Sequence, residues 1–369
     1  MKVAVLGEGI TGKAVKERLA LESGYELVQP EEADLVVTSP GIPPKNFPKV
    51  KAPIISEIEL AYQFLKDVKL IAVTGTNGKT TTTTLISKIL DCPAAGNIGL
   101  PLISIKEKNL KYISVEVSSY QLEAIDKFKP FISVILNVTP DHLERHGSME
   151  EYAQAKARIF MNQNQDDYVV FNANDLLLQK VVKNAKCNKV PIYPEKPLQQ
   201  NILAVKAVAK ICGVPLEKVE KILKEFKGVE HRLEEVAEFE GIKIINDSKA
   251  TNPESTMVAL DAIARPIILI AGGRDKNTPL EELANLMKVK IKHLILLGEA
   301  KDRFAKAFKN VTQSEVKDME EAVDISFKKA KKGDVILLSP ACASFDMFKN
   351  FEERGKVFKE LVLKYIQKL

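Results

Sequence analysis

The sequence predicts an α/β protein of three domains, each built on a mainly parallel sheet. Three observations carry that reading. The chain has 369 residues, more than one ordinary core holds, because domains run to roughly 100–200 residues each. Short apolar runs alternate with helical stretches, and the rhythm restarts three times. Two of the restarts, at residues 2–6 and 70–73, lead straight into glycine-rich turns that open helical sequence.

Composition bounds the function. With 45% hydrophobic and 28% charged residues, 18 Gly and 18 Pro, the chain sits near the average of globular proteins, which excludes disorder, collagen and coiled coil. Lys and Arg (54) barely exceed Asp and Glu (49), and the two signs interleave, as in Lys218-Val219-Glu220-Lys221, so no nucleic-acid partner is expected. The four cysteines form no C-x-x-C pair and suggest a reducing compartment. The start lacks the apolar core of a signal peptide, and no apolar run reaches the length of a membrane span. A cytoplasmic protein without a membrane partner is expected. Four histidines leave few candidates for imidazole chemistry.

The first domain, residues 1–68, opens with the strand 2–6, turns through Gly7-Glu8-Gly9-Ile10-Thr11-Gly12 and continues as a helix to about Leu21. Gly7-x-Gly9-x-x-Gly12 alone is a weak sign of a dinucleotide site. The acidic residue that would hold a ribose about 20 positions on is poorly placed, since Gln29 ends the next strand and Glu31 and Glu32 fall in a turn. A plain strand-to-helix turn and a site for another diphosphate ligand are equally good readings. A strand at 34–38 ends at Ser39-Pro40-Gly41, a Pro-rich loop fills 40–53, and 56–65 reads as a helix.

In the second domain, residues 69–226, the strand 70–73 precedes Gly75-Thr76-Asn77-Gly78-Lys79-Thr80-Thr81 and a helix over 80–90. Glycines let consecutive N–H groups turn around a phosphate, Lys79 reaches its β/γ oxygens and Thr80 offers a hydroxyl to Mg²⁺. The glycine spacing departs from the common G-x-x-x-x-G-K-[ST] form, with Gly75 three positions before Gly78. Further strands are expected at 113–117, 132–136 and 168–171, with helices near 149–161 and 200–211. Glu116 and the segment Asn137-Val138-Thr139-Pro140-Asp141-His142 both lie at strand ends, where a carboxylate and an imidazole suit a divalent metal.

The third domain, residues 227–369, carries strands at 243–245, 267–271, 294–297 and 335–338. Three of them run into small, polar segments: Asn246-Asp247-Ser248-Lys249-Ala250-Thr251-Asn252, Gly272-Gly273-Arg274-Asp275-Lys276 and Ser339-Pro340-Ala341-Cys342-Ala343-Ser344. Loops that follow strands in this way predict a single crevice at the carboxyl edge of the sheet.

Taken together, the loop 75–81, Gly96-Asn97-Ile98-Gly99, Glu116-Val117-Ser118-Ser119-Tyr120-Gln121-Leu122-Glu123 and Asn137-x-x-x-Asp141-His142 resemble the Mur ligases of peptidoglycan synthesis. His231-Arg232 and the segments 246–252 and 339–351 are most similar to the branch that adds D-glutamate. The resemblance runs the length of the chain. It implies a Rossmann-like UDP-sugar domain, a central P-loop mononucleotide-binding domain and a Rossmann-like amino-acid domain. The implied activity is an ATP-dependent amide ligation: the carboxylate of UDP-N-acetylmuramoyl-L-alanine takes the γ-phosphoryl of ATP, and D-glutamate attacks the acyl phosphate.

The same resemblance assigns residues. Lys79, Glu116, His142 and Lys156 would be catalytic, with Thr80, Glu116, His142 and a carbamylated Lys156 serving two Mg²⁺ ions. ATP would meet Gly75, Thr76, Asn77, Gly78, Lys79, Thr80 and Thr81, with Asn201, Arg232 and Asp247 on its adenine and ribose side. Ile10, Thr11, Ser39, Asn97 and His142 would contact the UDP-sugar. Thr251, Lys276, Ser344 and Phe351 would hold D-glutamate. Lys249 would be structural or electrostatic, and a monomer is expected. Between Val28 and Asp34 the chain departs from the family, because the segment that would grip the uracil is nearly absent.

Overall fold

The computed structural model describes residues 1–65, 67–106 and 109–368, with Leu198 described by its backbone alone. The chain forms two compact units, Met1–Phe226 and Lys227–Leu369. Together they carry three sheets, of which the first two are entirely parallel and the third is mixed.

The first sheet holds β1 (Lys2–Leu6), β2 (Glu26–Leu27), β3 (Leu35–Thr38) and β4 (Ile54–Ser56) in the order β2-β1-β3-β4, with α1 (Ile10–Leu21) and α2 (Glu57–Phe64) beside it. A run such as Leu35-Val36-Val37-Thr38 is buried throughout, as a strand covered on both faces must be. The glycine triplet has a packing cause, since a Cβ on Gly12 would come within 1.9 Å of the Gly7 carbonyl oxygen. Only glycine lets α1 leave so close to β1. At the sheet edge β2 is two residues long and residues Pro30–Glu32 form a single 3-10 turn, so the connection to β3 is as short as the sequence implies.

Two carboxylates fasten α2 to the next sheet's loops. Glu57 accepts from the Ile103 N–H at 2.7 Å, and Glu59 accepts from the consecutive N–H groups of Asp126, Lys127 and Phe128 at 2.8–2.9 Å. Apolar packing is continuous there too: Val3, Leu19, Ile58 and Leu60 share one core with Leu102, Ile103 and Phe128.

That second sheet is built from β5 (Lys69–Thr74), β6 (Ala94–Gly96), β7 (Tyr112–Glu116), β8 (Ile132–Ile135), β9 (Tyr168–Asn172) and β10 (Asn188–Ile192). Its order is β10-β9-β8-β5-β7-β6, which puts β5 between β7 and β8. The connecting helices are α3 (Lys79–Leu90), α4 (Ser119–Leu122), α5 (Leu143–His146), α6 (Met149–Ala157), α7 (Leu176–Val182), α8 (Pro197–Ile211) and α9 (Leu216–Glu225). The helix expected over 149–161 ends at Ala157 and finishes as a 3-10 turn over Arg158–Phe160.

The second unit pairs β11 (Glu234–Phe239) antiparallel with β12 (Ile242–Asn246), followed by α10 (Pro253–Ala262), β13 (Ile267–Gly272), α11 (Glu281–Lys290) and β14 (Ile291–Leu297). It continues through α12 (Lys301–Ala307), β15 (Gln313–Glu315), α13 (Met319–Lys329), β16 (Val335–Leu338) and α14 (Phe351–Gln367). The order β11-β12-β16-β13-β14-β15 sets the ends of β12, β16 and β13 side by side.

Candidate active site

Gly78 closes the loop after β5 with φ of +87° and is the N-cap of α3, which has no side-chain cap. A helix N-terminus without a side-chain cap suits an anion. Lys79 folds back, donating to the carbonyls of Gly75 and Thr76 at 2.8 Å each. Asn137, after β8, clasps the loop from the side: its Oδ1 accepts from the Asn77 N–H at 2.9 Å, and its Nδ2 donates to the Asn77 carbonyl at 3.1 Å. Above the loop stands Asn201 of α8. A Cβ on Gly78 would lie 2.3 Å from Asn201 Oδ1, and that buried oxygen has no hydrogen-bond partner among the described residues. Thr80 is buried and Thr81 half-buried on the first turn of α3.

Glu116 ends β7 beside the loop. Its Oε1 accepts from Asn97 Nδ2 at 3.1 Å, whereas its buried Oε2 accepts no hydrogen bond from the described residues. A buried acceptor without a donor costs about 1–3 kcal/mol, so such an oxygen suits a cation that supplies the missing positive charge. His142 follows β8 in the left-handed region, φ +57°, with Nε2 3.6 Å from Asp141 Oδ2 and its ring 4.9 Å from that of Tyr120.

Lys156 of α6 is 1% exposed. Its Nζ lies 4.1 Å from the Tyr152 ring centroid. Burial first, and then the nearby Lys79 charge, hold its amine well below the usual lysine range against the opposite pull of Asp141. The neutral amine so favoured is the form that is nucleophilic.

In the first sheet, Ile10 and Thr11 open α1, with Ile10 70% exposed, and Ser39 Oγ donates to the Leu6 carbonyl at 2.9 Å against the Gly7 turn.

The second unit brings its three loops together as the sequence predicts. The Gly272 N–H donates to the Pro340 carbonyl, and the Arg274 N–H to the Ala343 carbonyl, at 2.9 Å each. Asp247 Oδ2 accepts from Ser339 Oγ at 2.8 Å and Oδ1 from the Leu233 N–H at 3.2 Å. Burial raises the Asp247 carboxyl to about 6, opposed by the Arg232 charge. Ser344 is buried where its loop turns, Thr251 is half-buried after Lys249, and Lys276 is half-buried on the loop that follows β13. Phe351 opens α14; its carbonyl accepts from Ser248 Oγ at 2.8 Å, and Lys249 Nζ sits 4.6 Å from its ring centroid.

Residues 73–207 match the model of the Mur ligase middle domain, and residues 231–342 that of the Mur ligase glutamate ligase domain. A Caldicellulosiruptor bescii protein named UDP-N-acetylmuramoylalanine--D-glutamate ligase is 41% identical over 90% of this chain and 84% of its own length. The chain belongs to the Mur ligase family.

Solved structures agree on the fold. Thermotoga maritima MurC superposes with a TM-score of 0.65 at 19% identity, covering 100% of this chain and 99% of that one. Thermotoga maritima MurF, solved in complex with ADP, gives 0.66 at 18% identity, covering 99% and 95%.

Two features of this Mur ligase escape a reading of its sequence. Arg354 of α14 is 2% exposed and binds two loops at once: Nε to Ser248 Oγ at 3.0 Å and Nη2 to the Ser248 carbonyl at 2.7 Å, and Nη1 to the carbonyls of Cys342 and Ala343 at 3.1 and 3.3 Å. Burial lowers its guanidinium to about 10. His146 is buried with Nε2 2.9 Å from Ser119 Oγ. A third cluster, Glu230, His231 and Glu234, has metal-ligand spacing, but Lys359 Nζ already pairs with both glutamates at 2.6 and 2.9 Å.

Proposed function

We propose that the chain ligates D-glutamate to UDP-N-acetylmuramoyl-L-alanine at the expense of ATP, a cytoplasmic step of peptidoglycan synthesis carried out by a monomer. The observation that carries this is the uncapped N-terminus of α3 with Lys79 folded over its loop, in a chain 41% identical to a ligase of that name. No described helix is long and apolar enough to cross a membrane.

In this reading the amides of residues 75–81 cradle the ATP phosphates, and Lys79 exchanges its two carbonyl partners for β/γ oxygens. Asn201, Arg232 and Asp247 meet the adenine and ribose side. Mg²⁺ fits a hydroxyl, carboxylate and imidazole donor set, so Thr80, Glu116 and His142 would hold it, and it would neutralise charge on the phosphates. A carbamate on Lys156 would add anionic oxygens to that set. Lys156 supports this, being a buried amine favoured in the neutral form that adds to CO₂.

The donor carboxylate attacks the γ-phosphorus, ADP leaves, and the D-glutamate amine then displaces phosphate from the acyl phosphate. Ile10, Thr11, Ser39, Asn97 and His142 position the UDP-sugar. Thr251, Lys276, Ser344 and Phe351 hold the amino acid, where one lysine and two hydroxyls suit a dianion.

Phosphate release from ATP with UDP-N-acetylmuramoyl-L-alanine and a panel of amino acids tests the proposal. D-Glutamate should be the best acceptor. Turnover with L-glutamate or diaminopimelate and none with D-glutamate would overturn it.

A further inference from the structure

Four rings gather beyond the ends of β7 and β8. Tyr152 stacks on His146 with centroids 4.8 Å apart, Tyr120 lies 4.9 Å from His142 and 5.6 Å from His146, and His142 meets Tyr152 edge-on at 6.4 Å. Polar bonds extend the group in both directions. Ser119 Oγ is 2.9 Å from His146 Nε2, and the Tyr152 hydroxyl is 3.4 Å from Thr76 Oγ1, which also accepts from the Thr139 N–H at 3.0 Å. Ser119, His146, Tyr152, Thr76 and Thr139 thus form one chain of contacts. It joins α4, which follows Glu116, to the helix of Lys156, the phosphate loop and the helix that His142 caps.

Ser119, His146 and Glu123 have the composition of a hydrolytic triad, with His146 Nδ1 3.5 Å from Glu123 Oε1. The geometry excludes that role. Ser119 is 3% exposed, and Glu123 is bound by the Arg145 guanidinium, so the hydroxyl meets no substrate and the carboxylate is already paired.

We infer that His146 is a positioning residue for the ligase reaction, holding through the Tyr152 ring the side chain of Lys156 against the phosphate loop. Lys156 Nζ rests 4.1 Å from the Tyr152 centroid, so the place of that ring limits where the amine can stand. The hydrogen bond between the Tyr152 hydroxyl and Thr76 Oγ1 is a long one, and the face of the ring is set by the His146 stack. His146 is in turn fixed by Ser119 and enclosed by Tyr120. The inference rests on the proposal that Lys156 serves phosphoryl transfer.

Three variants of the full chain separate the contributions. His146→Ala removes ring and hydrogen bond, His146→Phe keeps the stack, and Ser119→Ala removes only the hydroxyl. The expected result for His146→Ala is a kcat lower by about 10- to 100-fold, the range seen when a group supporting a catalytic ligand is lost. KM for D-glutamate should stay within about twofold, and His146→Phe should recover part of the loss. With ¹³C-bicarbonate, the carbamate resonance of the parent should weaken in His146→Ala.

A parent without that resonance overturns the modification of Lys156, and the kcat comparison then decides His146 alone. A His146→Ala enzyme with parental kcat per folded molecule, whatever its melting temperature, overturns the inference. So does Ser119→Ala at parental kcat together with His146→Phe no better than His146→Ala.

Discussion

The Arg354 guanidinium and the Ser248 carbonyl, 106 residues apart in sequence, meet at 2.7 Å inside the second unit. One planar cation thereby takes main-chain oxygens from the loop after β12 and the loop after β16, and it springs from the helix that begins with Phe351. Replacing Arg354 with Ala leaves those oxygens buried without donors, at about 1–3 kcal/mol each. The unfolding transition of the second unit should shift down by at least about 3 kcal/mol in urea titrations. Arg354→Lys keeps a charge but loses the fork, so KM for D-glutamate should rise about tenfold or more while KM for ATP holds.

Gly78→Ala should damage nucleotide binding twice over. The residue sits at φ +87°, and its new Cβ would strike Asn201 Oδ1. Strain of about 1–3 kcal/mol predicts ADP binding weaker by roughly tenfold or more in calorimetric titration. Gly99→Ala shares the positive φ, +106°, but beyond its chain neighbours no described atom lies within 4 Å of the new Cβ, and it should cost the strain alone.

Lys156→Ala should abolish phosphate release. Small carboxylates added to the assay should restore part of it by supplying the missing anionic oxygens. No rescue, with Lys156→Ala as active as the parent, would remove the carbamate from the mechanism.

Glu57 makes the first unit sensitive to pH. Burial raises its carboxyl to about 7, against the N–H groups of Ile103 and Leu102 that pull it down. A folded value above the unfolded 4.5 stabilises the fold fully below pH 4.5, and the stabilisation is lost as pH rises through 7. Urea unfolding of the first unit should therefore weaken from pH 5 to pH 8 by up to about 3 kcal/mol. Glu57→Gln should flatten that slope.

What the sequence reveals and what it conceals divide along physical lines. The phosphate loop is legible because its glycines answer to local backbone geometry and Lys79 is their immediate neighbour. The joining of the three loops of the second unit is legible because β12, β13 and β16 are continuous apolar runs that end in small polar residues. By contrast, β6, β11 and β15 are short or polar, as Gln313-Ser314-Glu315 shows, and only their partner strands make them strands. Arg354 and His146 are concealed for another reason. Their partners are distant carbonyls, a serine hydroxyl and a ring face, none of which leaves a spacing to read.

The grip of Glu59 on three successive amides of the neighbouring loop bears on how this enzyme can be dissected. The junction near residue 68 separates two sheets but not two folding units. A fragment cut there would carry away Ile58 and Leu60 without the part of their cover given by Leu102, Ile103 and Phe128, and two carboxylates stripped of their donors. Residues 1–226 form one compact unit and should be expressed as a stable protein, whereas fragments ending near residue 68 should aggregate.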